Sequence, residues 1–432
     1  MIKLKEKFIK STIILIIGGF ITKILGMVIR IVITRLIGVS GIGLYMLILP
    51  TFNLFMTISS LSLATSISKI VAEERGDNRN IVLGVIPIAM IFNITIIVLI
   101  TLLAPFIAKY LLQNNDLYYP ILATCFTLPF ITLSGIARGY FFGKQKMFPH
   151  VISHIFEQVI RTIIILLITP FLLSKGITFA VTGLILSNIV SEIASIIILF
   201  LFLPKNFKLK KENLKYNSNN LKDVFAISIP TTLGRLISAL GMFLEPIIIT
   251  FVLINLGYNN NYITSEYGTI SGYVLPMVMM PAFLSGAVSN ALLPIITKYY
   301  KLKKIDLVKQ KIKQAIFISL AIGIPFTIIL MIFPEFCLNL IFNTTKGSSL
   351  LRIAAPIFLF SYVQGPIASS LQAMNKSKEL MKSSVIAIIF KTITLFLLLY
   401  LNIGMLAILI AYAVLILYEV IHSAIILKKT TS

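Results

Sequence analysis

Four positions on the first apolar stretch carry the chemistry this chain announces earliest: Gly19, Lys23, Gly26 and Arg30 recur at i, i+4, i+7 and i+11. At 3.6 residues per turn they share one helix face, small and cationic. A charge within a membrane span costs a few kcal/mol or more unless it meets water, a counter-charge or an anion. Lys23 and Arg30 are therefore expected to line an interior cavity, where converging cations suit the oxygens of a phosphate or pyrophosphate group. The two glycines read instead as a seam for close helix packing. Arg235 is the natural third cation, roughly a third to half of the way along its own span at 1.5 Å per residue.

Four carboxylates also fall inside apolar stretches: Glu157, Glu192, Glu245 and Glu419. Such groups can relay protons or bind Na⁺, or can serve as structural counter-charges. Glu157 and Arg161 are spaced to pair within one helix. Matching depths on consecutive antiparallel helices predict two structural ion pairs, Arg161 with Glu192 and Lys391 with Glu419. Glu245 is kept, with Glu157, for gating or ion coupling, and is expected opposite Arg30. His150, His154 and Glu157 share a face, but no His-Glu-x-x-His pattern or fourth ligand accompanies them, so no metal site is expected.

These residues need elements that cross a bilayer. Twelve apolar stretches run near residues 11–33, 43–67, 83–107, 119–137, 151–173, 178–203, 224–254, 269–295, 315–334, 350–372, 383–401 and 404–427, most of them near the ~20 residues a hydrocarbon core requires. A mean hydropathy of +0.98, with 58% hydrophobic and 12% charged residues, excludes a soluble globular domain, a coiled coil and a disordered chain. The fold class is an all-α polytopic membrane protein.

Of the 38 Lys and Arg residues, 28 lie at the two termini and in every second gap between stretches. The other gaps hold only Arg35, Lys109, Lys175 and Lys346, with Arg352 at the soft edge of the stretch that follows. Because basic loops stay on the cytoplasmic side, both termini and the loops around Lys69–Arg79, Arg138–Lys146, Lys205–Lys222, Lys298–Lys313 and Lys376–Lys382 are expected to be cytoplasmic, in the cytoplasmic membrane of a bacterium. The net charge of +23 sits in short flanks of spans rather than in a basic groove with interleaved aromatics, which points to anionic lipid and not to nucleic acid. Cys125 and Cys337 are far apart and read as packing residues. The apolar run after Lys3, Lys5, Lys7 and Lys10 continues past Lys23 without a small-residue cleavage site, and reads as an uncleaved first helix.

The longest polar stretch, Leu203–Lys222, divides the chain into 1–215 and 216–432, six spans each. A repeat crosses that boundary. At an offset of 215, Gly19, Leu25-Gly26-Met27 and Arg30 fall on Gly234, Leu240-Gly241-Met242 and Glu245; at 230, Arg161-Thr162-Ile163 falls on Lys391-Thr392-Ile393; at 227, Ser191-Glu192-Ile193 resembles Tyr418-Glu419-Val420. An even number of spans in each half makes these parallel repeats, two six-helix lobes related by a pseudo-two-fold axis along the membrane normal, an arrangement that places substrate between the lobes.

The stretch Ala137-Arg138-Gly139-Tyr140-Phe141-Phe142-Gly143, followed by Met147, Pro149, Ser153, Glu157-Gln158 and Arg161, resembles the stage V sporulation protein B family. Gly38-Val39-Ser40-Gly41-Ile42-Gly43-Leu44-Tyr45 and Ser68-Lys69-Ile70-Val71-Ala72-Glu73 support it. That family belongs to the multidrug/oligosaccharidyl-lipid/polysaccharide exporter superfamily, alongside lipid II flippases and toxic-compound antiporters. The resemblance implies a monomeric flippase without cofactor and without covalent chemistry, moving a polyprenyl-linked saccharide such as a peptidoglycan precursor between leaflets by alternating access. Lys23, Arg30 and Arg235 would hold its anionic head group, and H⁺, Na⁺ or the membrane potential would drive it. The rival reading is a cation-coupled exporter of small organic molecules. Typical flippase-like members have fourteen spans against twelve here, and Thr22-Lys23-Ile24-Leu25-Gly26-Met27-Val28-Ile29-Arg30 moves the second basic position of the lipid II flippase pattern on by one.

Overall fold

The computed structural model describes residues 2–73, 78–203 and 218–431, and among them every regular element is helical. The helices are α1 (Ile2–Ser60), α2 (Leu63–Glu73), α3 (Asn78–Phe106), α4 (Tyr118–Gly143), α5 (Met147–Leu173), α6 (Ile177–Leu201), α7 (Ser218–Asn255), α8 (Asn260–Gly268), α9 (Leu275–Met279), α10 (Ala282–Lys301), α11 (Ile305–Ile332), α12 (Pro334–Phe342), α13 (Ser348–Ala373), α14 (Ser377–Tyr400) and α15 (Leu406–Thr431). Helices dominate because a backbone crossing hydrocarbon must satisfy its polar groups within its own segment.

Ten helical stretches among the described residues are long and apolar enough to span a membrane, and α8–α9 with α10, bent by 47°, make an eleventh. The bend falls at Pro281, whose ring removes a backbone donor where a helix would continue. The longest stretch, Ile17–Glu73, is itself two spans. Gly38, at φ 64° and ψ −168°, takes a conformation that only glycine adopts without strain. Across this break the Arg30 guanidinium lies 3.5 Å from the Met46 sulfur, although sixteen residues of straight helix would separate them by roughly 24 Å. The chain therefore folds back at Gly38, and the count reaches twelve.

The chain packs as two compact units, Met1–Phe243 and Leu244–Ser432. The polar stretch expected to carry the boundary at 215 lies largely outside the described residues, and the division by packing falls inside α7. In the first unit Leu63, Ile67, Ile70, Val82, Val85, Ile136, Phe141 and Leu199 form a continuous core joining α2, α3, α4 and α6. α4 approaches α2 through two glycines: a Cβ at Gly139 would stand 2.6 Å from the Ala64 carbonyl oxygen, and one at Gly143 2.6 Å from that of Ser68. In the second unit Ile296, Val308, Ile312, Leu371 and Ile426 join α10, α11, α13 and α15. The outside is as apolar as the inside, with Leu102 and Phe317 each 73% exposed, as expected of helices whose outer solvent is lipid.

Candidate functional site

The first unit gathers Arg138, Glu157, Arg161 and Glu192 into one cluster at the junction of α4, α5 and α6. Glu157, 4% exposed, is its hub. One carboxylate oxygen accepts from Arg161, one turn on along α5, at 2.8 Å, and the other from Arg138 of α4 at 2.6 Å. His154 stands 3.2 Å from that second oxygen. Arg138 reaches on to α6, donating to Glu192 at 3.2 Å and to the Ser195 hydroxyl at 2.7 Å, while Arg161 Nε donates to Ser191 at 3.3 Å. Two guanidinium groups thus balance two carboxylates, and the surrounding hydroxyls take up spare donors, which is how a buried charge cluster offsets its desolvation.

The second unit has a smaller centre. The Lys391 ammonium of α14 donates to Glu245 of α7, and both residues are 6% exposed. The Tyr412 and Tyr267 hydroxyls donate to the same carboxylate at 3.2 and 3.3 Å. Lys391 also stands over the Tyr412 ring, 3.9 Å from its centroid, where the negative face of the ring attracts a cation.

Both expected ion pairs are thereby corrected. Arg161 pairs with Glu157 rather than Glu192, because an i, i+4 carboxylate on its own helix is the nearer partner; Glu192 is taken by Arg138. Lys391 pairs with Glu245 rather than Glu419. The repeat position of Glu157 is Ala387 in the second half, so Lys391 lacks a carboxylate one turn away and turns to the one that two tyrosines already orient. Glu419 is half-buried, with no ion-pair or hydrogen-bond partner among the described residues. Arg138, which sequence reasoning counted only as a loop cation, is the residue that was missed. Its signal was its place between the apolar end of a span and Gly139, where α4 touches α2.

The three proposed head-group cations stand in a different setting. Lys23 is exposed, as are Gly19 and Gly26 beside it. Beyond the local backbone and the adjoining residues, no described heavy atom lies within 4 Å of where a Cβ would stand at either glycine, so these glycines are not a packing seam. The close contact of that helix is instead at Gly18, whose Cβ would fall 2.2 Å from a Val151 methyl of α5. Arg30 is half-buried against Met46. Arg235, on α7, is exposed and reaches the Thr65 hydroxyl at 3.4 Å. The stretch from Ile17 to Val28 is therefore exposed on most of its sides, with Phe20, Ile24 and Met27 open as well as Lys23, and the Lys23 ammonium has no ion-pair or hydrogen-bond partner among the described residues. No group of three or more His, Cys, Asp or Glu among the described residues could hold a metal ion.

A helical, multi-pass membrane protein with twelve spans and internally neutralised charge clusters is the architecture of a transporter. The chain belongs to the polysaccharide biosynthesis protein family, whose model matches residues 8–300, and a MatE model matches residues 246–397. It is 34% identical to stage V sporulation protein B of Bacillus subtilis (strain 168) over 404 residues, 91% of this chain and 78% of that protein. It is 23% identical to the lipid II flippase MurJ of the same organism, over 90% of this chain and 77% of that one. Among solved structures it is similar to lipid II flippase MurJ in an inward closed conformation, with a TM-score of 0.70, 17% identity and coverage of 96% and 88%. An inward-facing multidrug resistance MATE family transporter of the MOP superfamily also gives 0.70, at 14% identity with coverage of 95% and 93%. The two structural likenesses fix the fold, and these two sequence relatives bear the names of a sporulation protein and a flippase.

Proposed function

We propose that the protein is a flippase carrying a polyprenyl-linked saccharide from the cytoplasmic to the outer leaflet, its anionic head group meeting Lys23 and Arg30. The observation that carries this reading is the open face of the first helix. Every cation deep in α5 and α14 has a carboxylate, whereas Lys23 stands exposed between two uncovered glycines. An unneutralised ammonium on a membrane span is costly unless an anion visits it, and a pyrophosphate supplies that anion. Arg30, one face with Lys23 and two turns on, offers paired donors to the same oxygens. The saccharide is then moved by alternating access, driven by H⁺, Na⁺ or the membrane potential, with both termini on the cytoplasmic side and a single chain as the working unit.

The matching MatE model over 246–397 favours a second reading, a cation-coupled exporter of small organic molecules. A cationic first-helix face would repel such cargo where it is itself cationic. Reconstitution into vesicles separates the two: the flippase reading expects a fluorescent lipid-linked precursor to become accessible at the outer surface while a cationic dye stays put. Dye movement without lipid movement would transfer the assignment to the exporter.

A further inference from the structure

Between α3, α4 and α6 the first unit encloses a cavity of about 140 Å³ to which no charged residue contributes. Its floor is a stripe on α4, Leu133, Ile136, Ala137 and Tyr140, spaced so that all four fall on one helix face. Ile86 of α3 lines one side, and Phe200 of α6 borders its mouth. Phe200 is 51% exposed, so the cavity opens on that side, between membrane-spanning helices, to lipid. An apolar cavity of about this size stays dry and takes a benzene-sized hydrocarbon. The α4 stripe runs on to Lys144, one turn or about 6 Å beyond Tyr140, and Lys146 follows, exposed, in the same loop.

We infer that this cavity holds a methyl-branched segment of the isoprenoid tail of a polyprenyl phosphate on entry, with Lys144 and Lys146 facing the phosphate end before the head group passes to Lys23 and Arg30. The inference rests on the flippase reading and adds the place where the tail docks. A five-carbon isoprene unit has about the bulk of the benzene such a cavity accepts; a straight acyl chain leaves it underfilled and forfeits dispersion contacts. The basic loop supplies the complementary charge at the end where a phosphate would sit, with the head group at the cytoplasmic surface and the tail in the inner leaflet.

Purified full-length protein in lipid nanodiscs would be irradiated with a diazirine-bearing polyprenyl pyrophosphate or, in parallel, with a phosphatidylglycerol carrying diazirine on its acyl chain, and adducts mapped by mass spectrometry. The polyprenyl probe should label 82–86, 133–140 and 196–203 above other lipid-facing segments, and Ala137→Phe, which fills the cavity, should remove that labelling. Ala137→Leu, a smaller intrusion, should reduce it, and melting curves establish that each variant is folded. Equal labelling by both probes, or labelling unchanged in both folded variants, overturns the inference. Flipping is read separately: adducts at this cavity without flipping would overturn the proposed function and leave the tail site standing.

Discussion

At the scale of single residues the molecule separates charges that neutralise one another from a charge left open. The Lys391–Glu245 pair is nearly inaccessible, so removing one partner strands the other in a low-dielectric interior. Lys391→Met or Glu245→Gln should each destabilise by about 3–5 kcal/mol, whereas the double variant should recover much of that loss, as a double-mutant cycle of thermal unfolding in detergent would read. Glu419→Gln should leave the melting temperature nearly unchanged, because no partner loses a bond. Neutralising the open face gives the opposite pattern. Lys23→Ala with Arg30→Ala should abolish lipid movement with little change in unfolding, measured by the reconstituted assay and melting curves together. Wild-type transport by that double variant would remove the head-group role of both residues.

Between residue and element lies the reason why some partners were legible and others were not. That Glu157 could meet Arg161 follows from helix periodicity, which is local, and it does so. That Glu192 meets Arg138, and Lys391 meets Glu245, depends on which faces of non-adjacent helices turn toward one another, and matched depth along the membrane does not encode that angle. The twelve spans were readable because hydrocarbon thickness fixes their length. The break at Pro281 was visible as a proline, yet many membrane helices carry prolines without a 47° bend.

At the scale of elements, Gly38 is the position on which the first helical hairpin depends. Its φ of +64° with ψ of −168° is a region closed to residues with a side chain, and no heavy atom crowds the place of a Cβ there. The cost of replacing it is therefore one of backbone strain alone, about 1–3 kcal/mol. Gly38→Ala should lower stability by that amount. Gly26→Ala, in ordinary helical backbone with the same open surroundings, should be neutral or stabilise by up to about 1 kcal/mol. Thermal melts of the two variants side by side check the contrast; equal effects would show that the break at Gly38 is not what the turn requires.

For the whole molecule, the distribution of charge predicts an orientation that the fold alone does not fix. A helical bundle with an apolar exterior is equally soluble in either direction across the bilayer, and what distinguishes the two is the loops that resist translocation. Basic residues cluster in alternate connections, with seven in the 296–314 segment alone, while the connection joining α5 to α6 carries only Lys175 and the one joining α12 to α13 only Lys346. On the positive-inside rule Lys146, Lys303 and Lys376 are expected in the cytoplasm and Lys175 and Lys346 outside. In a background with Cys125→Ala and Cys337→Ser, single Cys replacements of these five lysines in intact cells should divide accordingly. A membrane-impermeant maleimide should label the Lys175→Cys and Lys346→Cys variants at once, and the other three only after the membrane is opened. The reverse pattern would turn the protein over, put Lys144 and Lys146 at the outer surface, and reverse the direction in which a lipid-linked substrate enters it.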